Sequence, residues 1–137
     1  MNLSQVEIKQ LPKIEDDRGN LTFVEGGNQV PFDIKRTYLI YDVPGGEARG
    51  GHAYRELDEF IVALSGSFNL HLDDGTSQLK INLNRSYNAV FVPHGLWRKM
   101  DNFSTNSLCL VLASTEYNEA DYIRDYNEFL KYTVANA

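Results

Sequence analysis

The sequence predicts an all-β barrel that ends in a short helical tail. Short runs of alternating apolar and polar residues recur along the chain, and clusters of Gly, Pro, Asp and Asn separate them. After residue 117 the pattern changes, because apolar residues take a helical spacing. The 137 residues match the size of one domain, and we expect 1–137 to form that single domain.

The predicted strands follow one another between turn signals. Strands are expected around 6–8 and over 21–25, 34–41, 57–64, 68–73, 79–83, 87–92 and 108–113. Turns are expected at 16–20, 44–46, 65–66 and 73–75. Within the fifth of these strands, Phe68, Leu70 and Leu72 alternate with polar residues, so one face is predicted to point inward. His71 belongs to the opposite, outward face and is expected to be exposed.

The tail predicts one or two short helices that close the C-terminus, over 118–124 and then around 126–130. Tyr122, Tyr126 and Phe129 are expected to pack that helical part. Cys109 lies in an apolar run, which is typical of a buried structural thiol.

Composition restricts the partners. Thirteen basic and nineteen acidic residues give a net charge of −6, which argues weakly against nucleic acid. A few local arginines can still hold a small anion in an acidic protein. No run approaches membrane-spanning length and the first ten residues lack an apolar core of a signal peptide. We therefore expect no membrane partner and a cytoplasmic location.

A first spaced motif comprises Gly46, His52, Glu59 and Gly66. These intervals resemble the first signature of the cupins, G, five residues, H-x-H, three or four residues, E, six residues, G. Only the second histidine differs, because Tyr54 occupies its place. The resemblance implies a cupin-type jelly-roll barrel.

A second motif, P-x-G, two residues, H, three residues, N, is matched by Pro93, Gly95 and Asn102, with Arg98 at the histidine position. Cupins that bind metal use two histidines of the first signature, its glutamate and the histidine of the second. Here the phenol of Tyr54 titrates near ~10 and the guanidinium of Arg98 offers no lone pair. We therefore expect no metal and no other cofactor.

A cation at a cavity position suits an anionic or oxygen-rich ligand. Basic residues cluster around the same strands, and Arg49 and Arg98 are the favoured ones. The candidate substrate-binding residues are Arg18, Lys35, Arg36, Arg49, Tyr54 and Arg98. Glu59 is expected either to hydrogen-bond in the cavity or to pair with an arginine.

Five segments, 31–36, 49–53, 97–100, 110–114 and 117–124, resemble the dTDP-4-keto-6-deoxyglucose 3,4-ketoisomerases. The resemblance implies metal-free jelly-roll homodimers that exchange an N-terminal strand. It also implies conversion of a 4-keto to a 3-keto nucleotide sugar, which is then aminated for cell-surface glycans. The family's active-site histidine falls on His52 and its neighbouring tyrosine on Tyr38. Family members usually have a second histidine where Tyr54 stands.

The implied chemistry moves a ketone from C4 to C3 through an enediol or enediolate. His52 suits the base, since histidine titrates near neutral pH, and Tyr38 suits proton transfer among the sugar oxygens. Arg98 or Arg49 suits stabilisation of the oxyanion. Arg49, Arg36, Lys35 and Arg18 are candidates for the pyrophosphate.

Two alternatives remain at this stage. A nucleotide-sugar 3,5-epimerase would also use a histidine base but would retain the 4-keto group. A non-catalytic sugar-binding cupin would bind the nucleotide and leave the C3 proton in place. The C4 configuration of the product also stays open, with Arg18 and Arg98 as candidates for its control.

Overall fold

Over residues 3–137, which the computed structural model describes, the chain forms twelve strands and one α-helix. The strands are β1 (Glu7–Gln10), β2 (Lys13–Ile14), β3 (Leu21–Thr22), β4 (Arg36–Tyr41), β5 (Arg49–Tyr54), β6 (Glu59–Ser65), β7 (Phe68–Asp73), β8 (Gln78–Leu83), β9 (Asn88–Val92), β10 (Trp97–Asp101), β11 (Leu108–Ala113) and β12 (Tyr122–Ile123). The helix is α1 (Tyr126–Ala135), and 3-10 turns occupy Leu3–Gln5 and Glu119–Asp121.

Two five-stranded sheets make up the barrel. The first sheet has the strand order β1-β9-β6-β11-β4 and the second has the order β12-β5-β10-β7-β8. Neighbouring strands within both sheets are antiparallel. Strands that are neighbours in a sheet are mostly distant in sequence, as in a jelly roll. The predicted all-β jelly-roll barrel with a C-terminal helical tail is confirmed.

The main core lies between the two sheets. Period-two alternation turns Ile61 and Val111 of the first sheet toward Leu70, Leu72 and Met100 of the second, and all five are fully buried. Burial of one such side chain stabilises the fold by roughly 1.5–3 kcal/mol. The predicted inward face of β7 is confirmed.

The N-terminal segment covers part of the outer face of the first sheet. Val24 and Val30 pack there on Phe60, Val62 and Leu112. The sequence predicted a strand over 21–25, but only the first two residues of that range pair in a strand. The reason is that Val24 is drawn onto the apolar sheet face, where it packs by its side chain instead of continuing the ladder.

The tail departs from its prediction in one place. Tyr122 and Ile123 form β12, which pairs with β5, rather than helix. The carboxylate of Asp121 accepts hydrogen bonds from the backbone N–H groups of Glu56 and Leu57 and so holds this segment against the sheet. The buried Ile123 side chain favours extended backbone there.

The helix α1 follows directly. The side chain of Asp125 accepts from the backbone N–H of Glu128 and caps the first turn. Phe129 is fully buried against Ala53 and Ile123 on the outer face of the second sheet. The predicted packing of Phe129 in the helical part is therefore confirmed.

Cys109 lies in the main core, as predicted, with no exposed surface. Burial raises the pKa of its thiol to about 12, so the sulfur stays protonated near neutral pH.

Candidate active site

A cavity of about 240 Å³ is lined by residues of β4, β5, β10 and β12 and by Arg124. It brings together six of the eight residues that the sequence proposed for the site, Arg36, Tyr38, Arg49, His52, Tyr54 and Arg98. The alternation of β4 explains part of this set: Arg36 and Tyr38 are half-buried, whereas the intervening residues of the strand are exposed.

At the centre of the cavity Arg98 pairs with Glu59. Both side chains are 1% exposed. Arg98 donates from Nε to Oε1 of Glu59 at 2.7 Å and from Nη2 to Oε2 at 3.2 Å. Burial opposes the charge of Arg98, but the carboxylate outweighs it and the pKa of the guanidinium is raised. The pair therefore places a permanent, oriented cation inside the barrel.

Tyr38 belongs to the same network. Its hydroxyl donates to Oε2 of Glu59 at 2.5 Å and accepts from Nη2 of Arg98 at 3.0 Å. Burial raises the pKa of Tyr38 far above its usual value. The hydroxyl thus stays protonated and is held in one orientation.

His52 faces this cation. Its Nε2 lies 3.2 Å from Nη1 of Arg98 and 3.0 Å from the hydroxyl of Tyr54. Burial, and next the charge of Arg98, lower the pKa of His52 to about 3. Because an arginine N–H only donates, Nε2 is the unprotonated nitrogen of a neutral imidazole. His52 is therefore a base with its lone pair inside the cavity.

A bulge in β5 shapes this arrangement. Arg98 pairs with His52 and Met100 with Arg49, so two glycines of β5 lie opposite a single residue of β10. The extra residue places Arg49 on the same face as His52, although three positions separate them. Gly50 has φ +75°, and a Cβ there would collide with Nη1 of Arg98, which donates to the Gly50 carbonyl at 3.2 Å. A glycine is required at this position.

Arg36 carries an unsatisfied donor. Its Nη1 is buried and has no hydrogen-bond partner within the part of the chain that the structure describes. The guanidinium carbon lies 5.0 Å from the ring centroid of Tyr38 and 5.2 Å from that of Tyr117. A half-buried guanidinium that contacts two rings, lacks an acidic partner and has a buried, unpaired N–H fits an anionic ligand.

Two residues of the cavity wall were missed from the sequence. Tyr122 lies with its ring centroid 5.1 Å from His52 and 4.7 Å from Tyr54, instead of packing with the helix as predicted. Arg124 lies 4.1 Å over the Tyr122 ring and pairs with Glu119 at 2.8 Å. The resemblance of the tail to the ketoisomerases was the signal that could have found them.

The other two proposed binding residues lie outside the cavity. Arg18 is on an exposed turn, where it pairs with Asp16 at 2.7 Å. Lys35 precedes Arg36 and, by the alternation of β4, is exposed on the opposite side. Within one chain, neither residue reaches His52.

A wider depression of about 610 Å³ lies on the outer face of the second sheet. His71 is half-buried in it and pairs with Asp101 at 2.7 Å, so the prediction of a merely exposed histidine is wrong. Asp73 accepts from the hydroxyl of Tyr126 at 2.7 Å. The histidine and this acid already have partners, and the smaller cavity is the better candidate.

The donor set of the cavity does not suit a metal ion. Both oxygens of Glu59 already accept from Arg98, and the guanidinium repels a cation. Across residues 3–137, no group of three or more His, Cys, Asp or Glu side chains could hold a metal ion.

Two packed antiparallel sheets with polar side chains directed into the barrel define a cupin-type protein. Residues 4–134 match the family model described as FdtA: WxcM-like, C-terminal, and the chain belongs to this family. The chain is 42% identical to the TDP-4-oxo-6-deoxy-alpha-D-glucose-3,4-oxoisomerase of Aneurinibacillus thermoaerophilus over 120 residues, 88% of this chain and 86% of that protein.

Solved structures give the same result. A 3,4-ketoisomerase from Helicobacter canadensis is similar with a TM-score of 0.92 and 41% identity, over 95% of this chain and 98% of that one. A variant of the 3,4-ketoisomerase QdtA from Thermoanaerobacterium thermosaccharolyticum, in complex with TDP-4-keto-6-deoxyglucose, is similar with a TM-score of 0.94 and 33% identity, over 98% and 97%. The resemblance to the sugar 3,4-ketoisomerases is confirmed.

Proposed function

We propose that this protein isomerises dTDP-4-keto-6-deoxy-D-glucose to a dTDP-3-keto-6-deoxyhexose through an enediol or enediolate. One observation carries the proposal: a neutral His52 has its unprotonated Nε2 in a cavity beside a fixed cation and a protonated tyrosine. The relatives named for this reaction support the choice of sugar.

His52 performs the carbon proton transfers. It removes the proton from C3; the electron pair of the broken bond forms the C3–C4 double bond, and the carbonyl pair moves to O4. The imidazolium then returns a proton to C4, while the electron pair on O3 forms the new carbonyl. A positioned general base contributes roughly 10²–10⁴-fold to such a rate.

Tyr38 moves the oxygen proton. O3 must lose a proton and O4 must gain one. The Tyr38 hydroxyl, which donates to Glu59 before substrate binds, can turn its proton to O4 and accept the proton of O3 in its place. Arg98 stabilises the negative charge that develops on O4, because its guanidinium is already desolvated and oriented.

The nucleotide is held by the arginines of the cavity. Arg36, Arg49 and Arg124 line its wall and can form charge-assisted hydrogen bonds with the pyrophosphate. Tyr54 completes the proposed binding set. Lys35 and Arg18 are also proposed to bind the pyrophosphate, although neither lines the cavity of a single chain.

We further propose a homodimer with an exchanged N-terminal strand. β1 is an edge strand, and Ile8 within it is 65% exposed. The outer face of the first sheet also exposes Leu39, Tyr41 and Leu64. Exchange of β1 would preserve its pairing with β9 and add contacts between the copies. Such an exchange would also carry the turn with Arg18 toward the partner.

We also propose a pathway and a cellular location for the reaction, from the resemblance to the ketoisomerases. The 3-keto product suits amination for 3-amino sugars of cell-surface glycans such as lipopolysaccharide, and the cytoplasm is the proposed location. In the described part of the chain, no helix has the length and apolar character needed to cross a membrane. A single domain over 1–137 likewise remains a proposal.

The decisive experiment is incubation with dTDP-4-keto-6-deoxyglucose in deuterated buffer, followed by NMR. A ketoisomerase moves the keto carbon from C4 to C3 and puts solvent deuterium on the sugar carbons. Retention of the 4-keto group with exchange at C5 would indicate a 3,5-epimerase. Bound nucleotide sugar without any exchange would indicate a binding protein, and either result would overturn the proposal.

A further inference from the structure

Tyr54 is the one residue of the first motif that departs from the cupin signature, and it lies directly against the base. Its side chain is buried, with 3% exposure, and its hydroxyl is 3.0 Å from Nε2 of His52. Its ring contacts two others, with centroids 4.9 Å from His52 and 4.7 Å from Tyr122. The hydroxyl is therefore fixed relative to Nε2.

The two groups next to Nε2, Arg98 and Tyr54, differ in whether they can hydrogen-bond to it after it has been protonated. Arg98 donates to Nε2 while His52 is neutral, but a guanidinium cannot accept from the N–H that forms on protonation. Its Nη1 is also held by the Gly50 carbonyl at 3.2 Å. The hydroxyl of Tyr54 both donates and accepts. Within residues 3–137, Arg98 and Tyr54 are the groups within hydrogen-bond distance of Nε2, and only Tyr54 can bond to both forms of the base.

We propose that Tyr54 is a positioning residue that reverses its hydrogen bond during catalysis. Its hydroxyl donates to Nε2 of neutral His52 and accepts from Nε2–H once the imidazolium has formed. This inference rests on the proposed function, in which the proton taken from C3 resides on Nε2 until C4 receives it. The carbon proton stays on His52 between its removal from C3 and its return to C4, so Tyr54 itself acts neither as an acid nor as a base.

The charges around His52 explain why an acceptor is needed. Arg98 faces it from β10, and Arg124 and Glu119 act on it from the tail, where the arginine disfavours the imidazolium and the glutamate favours it. Tyr122 contributes a neutral ring from β12. Burial also raises the pKa of Tyr54, so its hydroxyl remains a neutral partner and does not itself ionise.

The test compares Tyr54→Phe and Tyr54→His with the wild type and with Tyr41→Phe, a matched control at an exposed position of β4. Loss of a hydrogen bond to a charged group corresponds to roughly 10- to 100-fold. We expect Tyr54→Phe to lower kcat for the keto-sugar by that factor while KM changes less than about threefold. Tyr54→His, which supplies an alternative acceptor, is expected to recover kcat to within about tenfold, and Tyr41→Phe to match the wild type.

Unchanged kcat in Tyr54→Phe would overturn the inference. So would a rise in KM with kcat retained, which would leave Tyr54 with substrate binding as its only role, and so would equal losses of kcat in the two Tyr54 variants. Absence of turnover in the wild type would instead refute the proposed function.

A measurement on the wild type covers the case in which the variants fail to fold. Proton–nitrogen correlation spectra of the three histidines report which ring nitrogen is protonated. The inference requires unprotonated Nε2 in His52 at neutral pH, and a proton on Nε2 would overturn it.

Discussion

Arg98 and Glu59 form a fully buried, doubly hydrogen-bonded ion pair, with Nε 2.7 Å from Oε1 and Nη2 3.2 Å from Oε2. The same pair orients the Tyr38 hydroxyl and brings Nη1 within 3.2 Å of His52. One ion pair thereby links the stability of the barrel to the geometry of the proposed catalytic groups.

Glu59→Gln is expected to destabilise the fold by about 3–5 kcal/mol, because it leaves the buried guanidinium of Arg98 without its counter-charge. Urea unfolding measures this cost. Glu119→Gln is the matched control, since its pair with Arg124 is more than half exposed on both sides and is therefore expected to contribute little to stability. Similar costs for the two variants would contradict the assignment of a special role to the buried pair.

His52→Asn is expected to fold and bind dTDP but to lose ketoisomerisation by about 10²–10⁴-fold, because the base is removed while the cavity wall is kept. Turnover by NMR and dTDP binding by calorimetry check the two parts. Near-normal turnover would show that another group removes the C3 proton.

The buried state of His52 also predicts a pH dependence of stability. Its pKa is about 3 when folded and about 6.5 when unfolded, so between these values the unfolded chain binds the proton more tightly. The free energy of unfolding therefore falls as pH drops below about 6.5. From pH 7 to 5, the wild type should lose about 1–2 kcal/mol more than His52→Asn. Urea titrations at both pH values measure this difference, and parallel losses would argue against a buried neutral histidine.

Gly50→Ala is expected to lower both stability and turnover. The new Cβ meets the guanidinium of Arg98, and φ +75° is unfavourable for alanine. A combined cost of about 1–3 kcal/mol is expected from thermal or urea unfolding. Gly45→Ala serves as the control, because a Cβ there meets nothing within 4 Å.

Arg36→Met is expected to weaken dTDP binding by about tenfold or more, with little effect on stability, because the lost Nη1 has no partner in the protein. Arg85→Met is the control, because Arg85 is exposed and lies outside the cavity lining. Calorimetric titration with dTDP compares the two. Equal effects of both substitutions would indicate general electrostatics instead of a contact.

The strands and the cavity could be predicted from the sequence wherever the spacing of apolar or motif residues reflects the structure. Burial on one or both faces sets the alternation of β7 and the apolar runs of β6 and β11, and such patterns can be read directly from the sequence. The spacing from Gly46 to Gly66 located His52 and Glu59 because the signature spans β5 and β6, consecutive strands that lie in opposite sheets. Most of the proposed site residues accordingly meet in one cavity.

The helix predicted over 118–124 is wrong because a long-range contact decides the structure of the tail. The helical spacing of 118–124 is real, but three-dimensional contacts override it, because Asp121 binds backbone N–H groups more than sixty residues away. The placement of Tyr122 and Arg124 at the cavity depends on that long-range contact. Local propensity contains no information about it.

The buried guanidinium also has a consequence for how this barrel is assembled. In a metal-loaded barrel, the central charge arrives after folding and can be exchanged, oxidised or withheld. Here the charge is part of the polypeptide, because Arg98 is supplied by β10 and locked by the Gly50 carbonyl and Glu59. The charge is in place as soon as the chain has folded. Newly synthesised chains should therefore need no metallochaperone and should keep their activity when cellular metal is scarce.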